Sequence, residues 1–259
     1  NCPPTFGMYA FSTGVCAGKL VTVRRGNDFA LDLPAIRRAV TPRTKVIFVA
    51  SPNNPSGNVT PEKAIRELLD LGILVVVDEA YYEFSGCTVV PLTQKYDNLV
   101  VLRTFSKWAG LAGLRVGYGV LPQQLMPYLL KIKQPYNINA AAMVAAIESL
   151  ADVDYLLETV KAIVHERARL FRKLEQFEFM ELSPTQANFI LCRIGNSRAR
   201  HLHMKLQKRG IFLRYFDAPM LEDCLRISVG KPEHTDALVQ TIEAILDEDE
   251  RAKVVEPKF

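Results

Sequence analysis

Nearly unbroken runs of Val, Ile and Leu punctuate the first half of the chain, at residues 20–23, 46–50, 73–77 and 99–102. Only Thr22 interrupts the first of them. Apolar runs without polar alternation fit strands covered on both faces. Between the second and third runs, residues 61–69 have helical spacing, with Thr60 as the expected N-cap and Pro61 at the first helical position. Strand, helix and strand in succession predict a parallel sheet with right-handed crossovers. A further strand is expected over 116–121. Helices are expected over 122–133, 139–150 and 152–177, the second rich in small residues and the third amphipathic with a basic outer face.

The later part of the chain changes character. Strands are expected at 179–182, 188–193, 211–214 and 225–229, and helices at 197–209 and 233–246. The predicted fold class is α/β: a mostly parallel sheet flanked by helices, followed by a smaller C-terminal α/β domain. The boundary is placed at 152/153, giving domains 1–152 and 153–259. From Asp247 onward the chain is densely charged and is expected to fray.

Composition narrows the function classes. A chain of 259 residues, 49% hydrophobic and 23% charged, suits one large and one smaller globular unit. Its net charge of +4 is spread along the chain, which argues against nucleic acid as partner and suits an anionic small substrate. The five cysteines form no C-x-x-C pair and are expected as reduced, buried thiols. His201 and His203 lie two apart on an expected helix and so point apart, and no metal site is predicted. No apolar run is long enough to span a bilayer, and no signal peptide is visible. Asn1-Cys2-Pro3-Pro4 reads as the end of a strand entering a turn, so further residues are expected upstream.

In an open parallel sheet, ligands bind beyond the carboxyl ends of the strands. Three such ends carry polar residues: Ser51-Pro52-Asn53-Asn54-Pro55-Ser56-Gly57, then Asp78-Glu79-Ala80-Tyr81-Tyr82, then Arg103-Thr104-Phe105-Ser106-Lys107. An amide, a carboxylate, a phenol, two hydroxyls and an ammonium are thus expected on one rim. Each alone has a bland reading: an Asp at a strand end is commonly a cap, and a lysine is commonly a solvated surface group. Their convergence on one edge points to a site. Two nucleotide-binding readings fail on spacing. Gly14-Val15-Cys16-Ala17-Gly18-Lys19-Leu20 is one residue short of a Walker loop and lacks its Ser/Thr, and Gly110, Gly113, Gly117 and Gly119 do not form G-x-G-x-x-G.

The Ser51–Gly57 segment, Asp78-Glu79-Ala80-Tyr81, Ser106-Lys107 and Arg115 eight residues further on together resemble the fold-type I pyridoxal-phosphate (PLP) aminotransferases, with their aspartate-aminotransferase-like large domain. Within that group, Pro3-Pro4-Thr5-Phe6-Gly7-Met8-Tyr9, Leu111-Ala112-Gly113-Leu114-Arg115 and Cys224-Leu225-Arg226-Ile227-Ser228-Val229-Gly230 resemble the histidinol-phosphate aminotransferases. The resemblance implies PLP as cofactor, with Lys107 bonding its aldehyde and then moving the substrate proton. It implies Asp78 beside the ring nitrogen, Tyr81 and Asn54 on the ring oxygen, and Thr104, Ser106 and Arg115 on the phosphate. Phe6 would stack on the ring, where many relatives carry Tyr. Arg226 would clamp a substrate carboxylate, and Arg214 would meet a substrate phosphate. Tyr9 and Tyr136 receive no role. Also implied are a glycine-rich turn upstream and a tyrosine that reaches a partner's site, neither present in these residues.

The resemblance further implies amino-group transfer between L-histidinol phosphate and 2-oxoglutarate in histidine biosynthesis. Its partners would be small amino and keto acids, with neither nucleic acid nor membrane, in a homodimer. A cytoplasmic location is expected unless an organelle-targeting segment lies upstream. The alternatives are an aromatic or other amino-acid aminotransferase of the same fold, a decarboxylase or lyase, a ligand-sensing domain of a transcriptional regulator, and an inactive paralogue.

Overall fold

The computed structural model describes residues 1–195 and 198–255. The chain forms two compact units, Asn1–Lys161 with Thr185–Ala187, and Ala162–Pro184 with Asn188–Phe259. The division falls within a single long helix.

The first unit opens with α1 (Met8–Val15) and α2 (Leu33–Ala39). Asp32 caps α2, its carboxylate accepting the Ala35 N–H at 2.8 Å, with Pro34 in the first turn. Then follow β1 (Val46–Ala50), α3 (Glu62–Leu69), β2 (Leu74–Asp78), the single turn α4 (Tyr82–Ser85), β3 (Leu99–Thr104) and β4 (Gly117–Val120). They are succeeded by α5 (Met126–Ile132) and α6 (Ala140–Ala151), the latter capped by Asn139. The strands lie in the order β1-β2-β3-β4. The first three are parallel and β4 returns antiparallel. Parallel pairing puts the C-terminal ends of β1, β2 and β3 on one edge, where Ser51 N–H donates to Asp78 O and Glu79 N–H to Leu102 O, both at 2.9 Å.

One face of this sheet presents Ile47, Val49, Val75, Val77, Leu99 and Val101 to Ile65, Leu68 and Leu69 of α3 and Ile36 of α2. Apolar burial of this kind contributes about 25 cal/mol per Å2 and holds the strand ends in register. The other face is less covered than the expectation of two buried faces allows: Phe48 is half-buried and Leu102 is 37% exposed. Three further expectations are corrected. Residues 20–23 form no strand. They run beside the N-terminal segment through Val23 N–H to Asn1 O and Arg25 N–H to Pro3 O, a ladder kept short because Pro3 and Pro4 offer no N–H. Helix α3 starts at Glu62 with Pro61 at its cap, while the Thr60 N–H is taken by Ser51 Oγ at 2.9 Å. Cys16 and Cys87 are exposed, although Cys2, Cys192 and Cys224 are buried.

The long helix α7 (Val153–Leu174) leads into the second unit, which contains β5 (Met180–Leu182), β6 (Phe189–Ile194), α8 (Ala199–Lys208), β7 (Arg214–Tyr215), β8 (Cys224–Ser228) and α9 (Pro232–Val255). Its sheet, ordered β5-β6-β8-β7, is antiparallel throughout. Ile190, Cys192 and Ile194 of β6 pack with Leu202 and Leu206 of α8 and Ile242 and Ile245 of α9. The charged tail does not fray at Asp247: α9 continues, because Arg209 meets Glu248 at 2.6 Å and Lys205 and His201 meet Asp249. Ser197 of the expected helix and residues 256–259 of the expected tail lie outside the described residues. Among the described residues, no helix is long and apolar enough to cross a membrane.

Candidate active site

Asp78 is the last residue of β2, the strand between β1 and β3. Its Oδ2 accepts a hydrogen bond from the Tyr9 hydroxyl at 2.7 Å, and its Oδ1 accepts the Ala80 N–H at 3.1 Å. Burial pushes the carboxyl above its ordinary range, opposed by the Tyr9 hydroxyl, the Ala80 N–H and the positive charge of Lys107. Lys107 therefore lies within electrostatic reach of Asp78. Its side chain is exposed, with Nζ 5.6 Å from the centroid of the Tyr81 ring. Tyr81 is buried and immediately precedes α4.

The loop from β3 to β4 gathers the hydroxyls. Thr104 Oγ1 and Ser106 Oγ are 2.8 Å apart, and the Ser106 N–H donates to Thr104 Oγ1 at 3.0 Å. Phe105 and Trp108 are buried and anchor this loop. Arg115 adopts a left-handed backbone (φ 60°), and its guanidinium is exposed and donates to Ala112 O at 2.8 Å.

The turn after β1 is built around Asn53, which is fully buried. Its amide donates to Pro4 O at 3.0 Å and to Ser56 Oγ at 2.7 Å, and its Oδ1 accepts from Thr5 Oγ1 at 2.7 Å. Neighbouring Asn54 is half-buried between Asn53 and Pro55. Gly57 has φ +79°, and a Cβ there would lie 2.0 Å from Thr185 Oγ1, so only glycine fits. Through Asn53 the segment carrying Phe6 is tied to the strand edge. Phe6 is 43% exposed and meets Tyr9 edge-on, with centroids 5.8 Å apart. A carboxylate, an ammonium, paired hydroxyls and an accessible aromatic face form a donor set that fits a phosphorylated, aldehyde-bearing heterocycle.

Arg214 and Arg226 belong to the second unit. They are direct partners in the β7–β8 ladder, so their side chains leave the same face of the sheet. The Arg226 guanidinium lies 5.0 Å from the Phe189 ring centroid, and that of Arg214 lies 5.5 Å from Phe216.

Three groups important to this geometry received no role from the sequence. Tyr9 reaches Asp78 across 69 positions, and its place three residues after Phe6 was the available signal. Glu79, 1% exposed, holds Arg103 and Thr88. Arg25 is buried and donates to Cys2 O and Phe29 O. Burial pulls it down to about 10.

Comparison with known proteins places these features in context. The family described as aminotransferase class I and II matches residues 1–242. The histidinol-phosphate aminotransferase of Dehalococcoides mccartyi is 52% identical over 242 residues, covering 93% of this chain and 68% of the relative. The crystal structure of the histidinol-phosphate aminotransferase from Clostridium acetobutylicum superposes with a TM-score of 0.90 at 23% identity, over 95% of this chain and 77% of that one. That from Sinorhizobium meliloti, in complex with pyridoxal-5'-phosphate, gives 0.82 at 28% identity, over 93% and 69%.

Proposed function

Because the chain belongs to the class I and II aminotransferases, we propose that it transfers the amino group of L-histidinol phosphate to 2-oxoglutarate, using pyridoxal 5'-phosphate. The observation that carries this reading is the Asp78 carboxylate, fixed at the end of β2 within the field of the Lys107 ammonium. When bound, pyridoxal phosphate supplies an electrophilic aldehyde and a ring that withdraws electrons from the reacting carbon.

The residues divide the remaining work. Lys107 would hold the aldehyde through its amine and would move the proton at the substrate carbon that bears nitrogen. Asp78 holds a proton at the ring nitrogen by its negative charge. Tyr81 and Asn54 orient the ring oxygen. Thr104, Ser106 and Arg115 bind the cofactor phosphate, the arginine as a charged forked donor. Phe6 covers the ring with an aromatic face and excludes water from it. Arg226 and Arg214 take the anionic groups of the substrates. Paired across the β7–β8 ladder, the two arginines offer forked cationic donors suited to a phosphate ester and a carboxylate. A homodimer fits the apolar side chains that α6 exposes, Met143, Val144, Ile147 and Leu150.

The test is a substrate comparison with the PLP-loaded protein: amino transfer to 2-oxoglutarate from histidinol phosphate, histidine, phenylalanine and aspartate. The proposal requires histidinol phosphate to have the highest kcat/KM. A preference for phenylalanine without activity on the phosphate ester contradicts the substrate assignment and leaves the family membership intact.

A further inference from the structure

Tyr9 is 5% exposed, and its ring lies flat against Phe48 of β1, with centroids 5.1 Å apart and planes 10° apart. That stack fixes the ring, and the hydroxyl donates to Asp78 Oδ2 at 2.7 Å. With the Ala80 N–H on Oδ1, a donor sits on each carboxylate oxygen, which sets the plane of the group.

We propose that Tyr9 is a positioning residue, whose hydroxyl keeps the Asp78 carboxylate anionic and aimed at the cofactor ring nitrogen throughout the reaction. This rests on the function proposed above. Of the groups that favour the charged form of Asp78, Lys107 does so only while its amine is free and protonated. As the residue that would hold the cofactor and move a proton, it would not keep a constant charge. The Tyr9 hydroxyl is a neutral donor that does not change. Burial and the adjacent Asp78 push its own ionisation up, so it stays protonated and keeps donating. The other titratable groups that face this pair are Arg25 and Tyr81.

Tyr9→Phe retains the ring against Phe48 and deletes only the donor. A less anionic Asp78 holds the ring-nitrogen proton more weakly, and a less cationic ring makes the lysine nitrogen more basic. In the holoenzyme, the pH midpoint of the visible absorbance change is therefore expected to rise by about one unit. PLP should bind about tenfold more weakly. In an Asp78→Asn background the same Tyr9→Phe change should move neither quantity. An unchanged midpoint and affinity in Tyr9→Phe, or a shift that persists with Asp78→Asn, overturns the proposal. If Tyr9→Phe does not fold, difluorotyrosine in place of Tyr9 is a stronger donor and should move the midpoint down. No movement there overturns the proposal equally. A wild-type protein without a visible band refutes the underlying function, whereas a normal wild-type band with an unmoved variant refutes only the role of Tyr9.

Discussion

Arg103 of β3 clamps Glu79, the residue that follows β2, with Nη2 2.9 Å and Nε 3.0 Å from Glu79 Oε2. The same oxygen accepts from Thr88 Oγ1 at 2.8 Å, and Oε1 accepts the Val89 N–H at 2.7 Å. The guanidinium also lies 3.5 Å from the Tyr82 ring centroid. The pair therefore ties the ends of β2 and β3 together one residue from Asp78. Removing one member leaves the other charge buried and uncompensated. Glu79→Ala should lower unfolding stability by about 3 kcal/mol, measured by urea titration. Replacing both partners by apolar residues of similar volume should cost less than either single change.

Glu83, on α4, sets a pH dependence. Burial raises its carboxyl to about 7 from 4.5, helped by nearby Glu79 and opposed by its own backbone N–H and by Arg103. A carboxyl whose folded pKa exceeds the unfolded one favours folding below the unfolded value. That contribution is lost as pH rises through the folded value. Stability should accordingly fall between pH 4.5 and 7 on this account. The raised Asp78 carboxyl acts in the same direction. Glu83→Gln should stabilise the protein by about 2 kcal/mol at pH 8 and leave it unchanged at pH 4, as read by thermal unfolding across that range.

Much of this arrangement is legible in the sequence for local reasons. The runs rich in Val and Ile at 46–50, 73–77 and 99–102 favour strands with one buried face, and parallel pairing then brings Asp78 and Lys107 to one edge. The rest depends on partners remote in sequence. Residues 20–23 have strand composition but face a segment with two prolines. The charges after Asp247 suggest a frayed tail until Lys205 of α8 and Arg209 at its C-terminal end are seen beside them. The like-charged register of Arg214 with Arg226 and the bond from Tyr9 to Asp78 arise only from tertiary pairing, which no local pattern encodes.

That register suggests a test of the roles proposed for the two arginines. Arg214 is exposed at the sheet edge, whereas Arg226 is half-buried beside Phe189. Arg214→Gln removes a forked donor suited to a phosphate ester. Steady-state kinetics should show kcat/KM for histidinol phosphate reduced by about 10- to 100-fold, with glutamate affected far less. Equal losses for both would assign Arg214 to the general stability of β7 instead.

The proposed function depends most directly on which amine holds the cofactor. After incubation with PLP and reduction with borohydride, peptide mass mapping should find the pyridoxyl group on Lys107. Lys107→Ala should lack both the label and the visible band. A label on another lysine, or a Lys107→Ala protein that keeps the band, would contradict it.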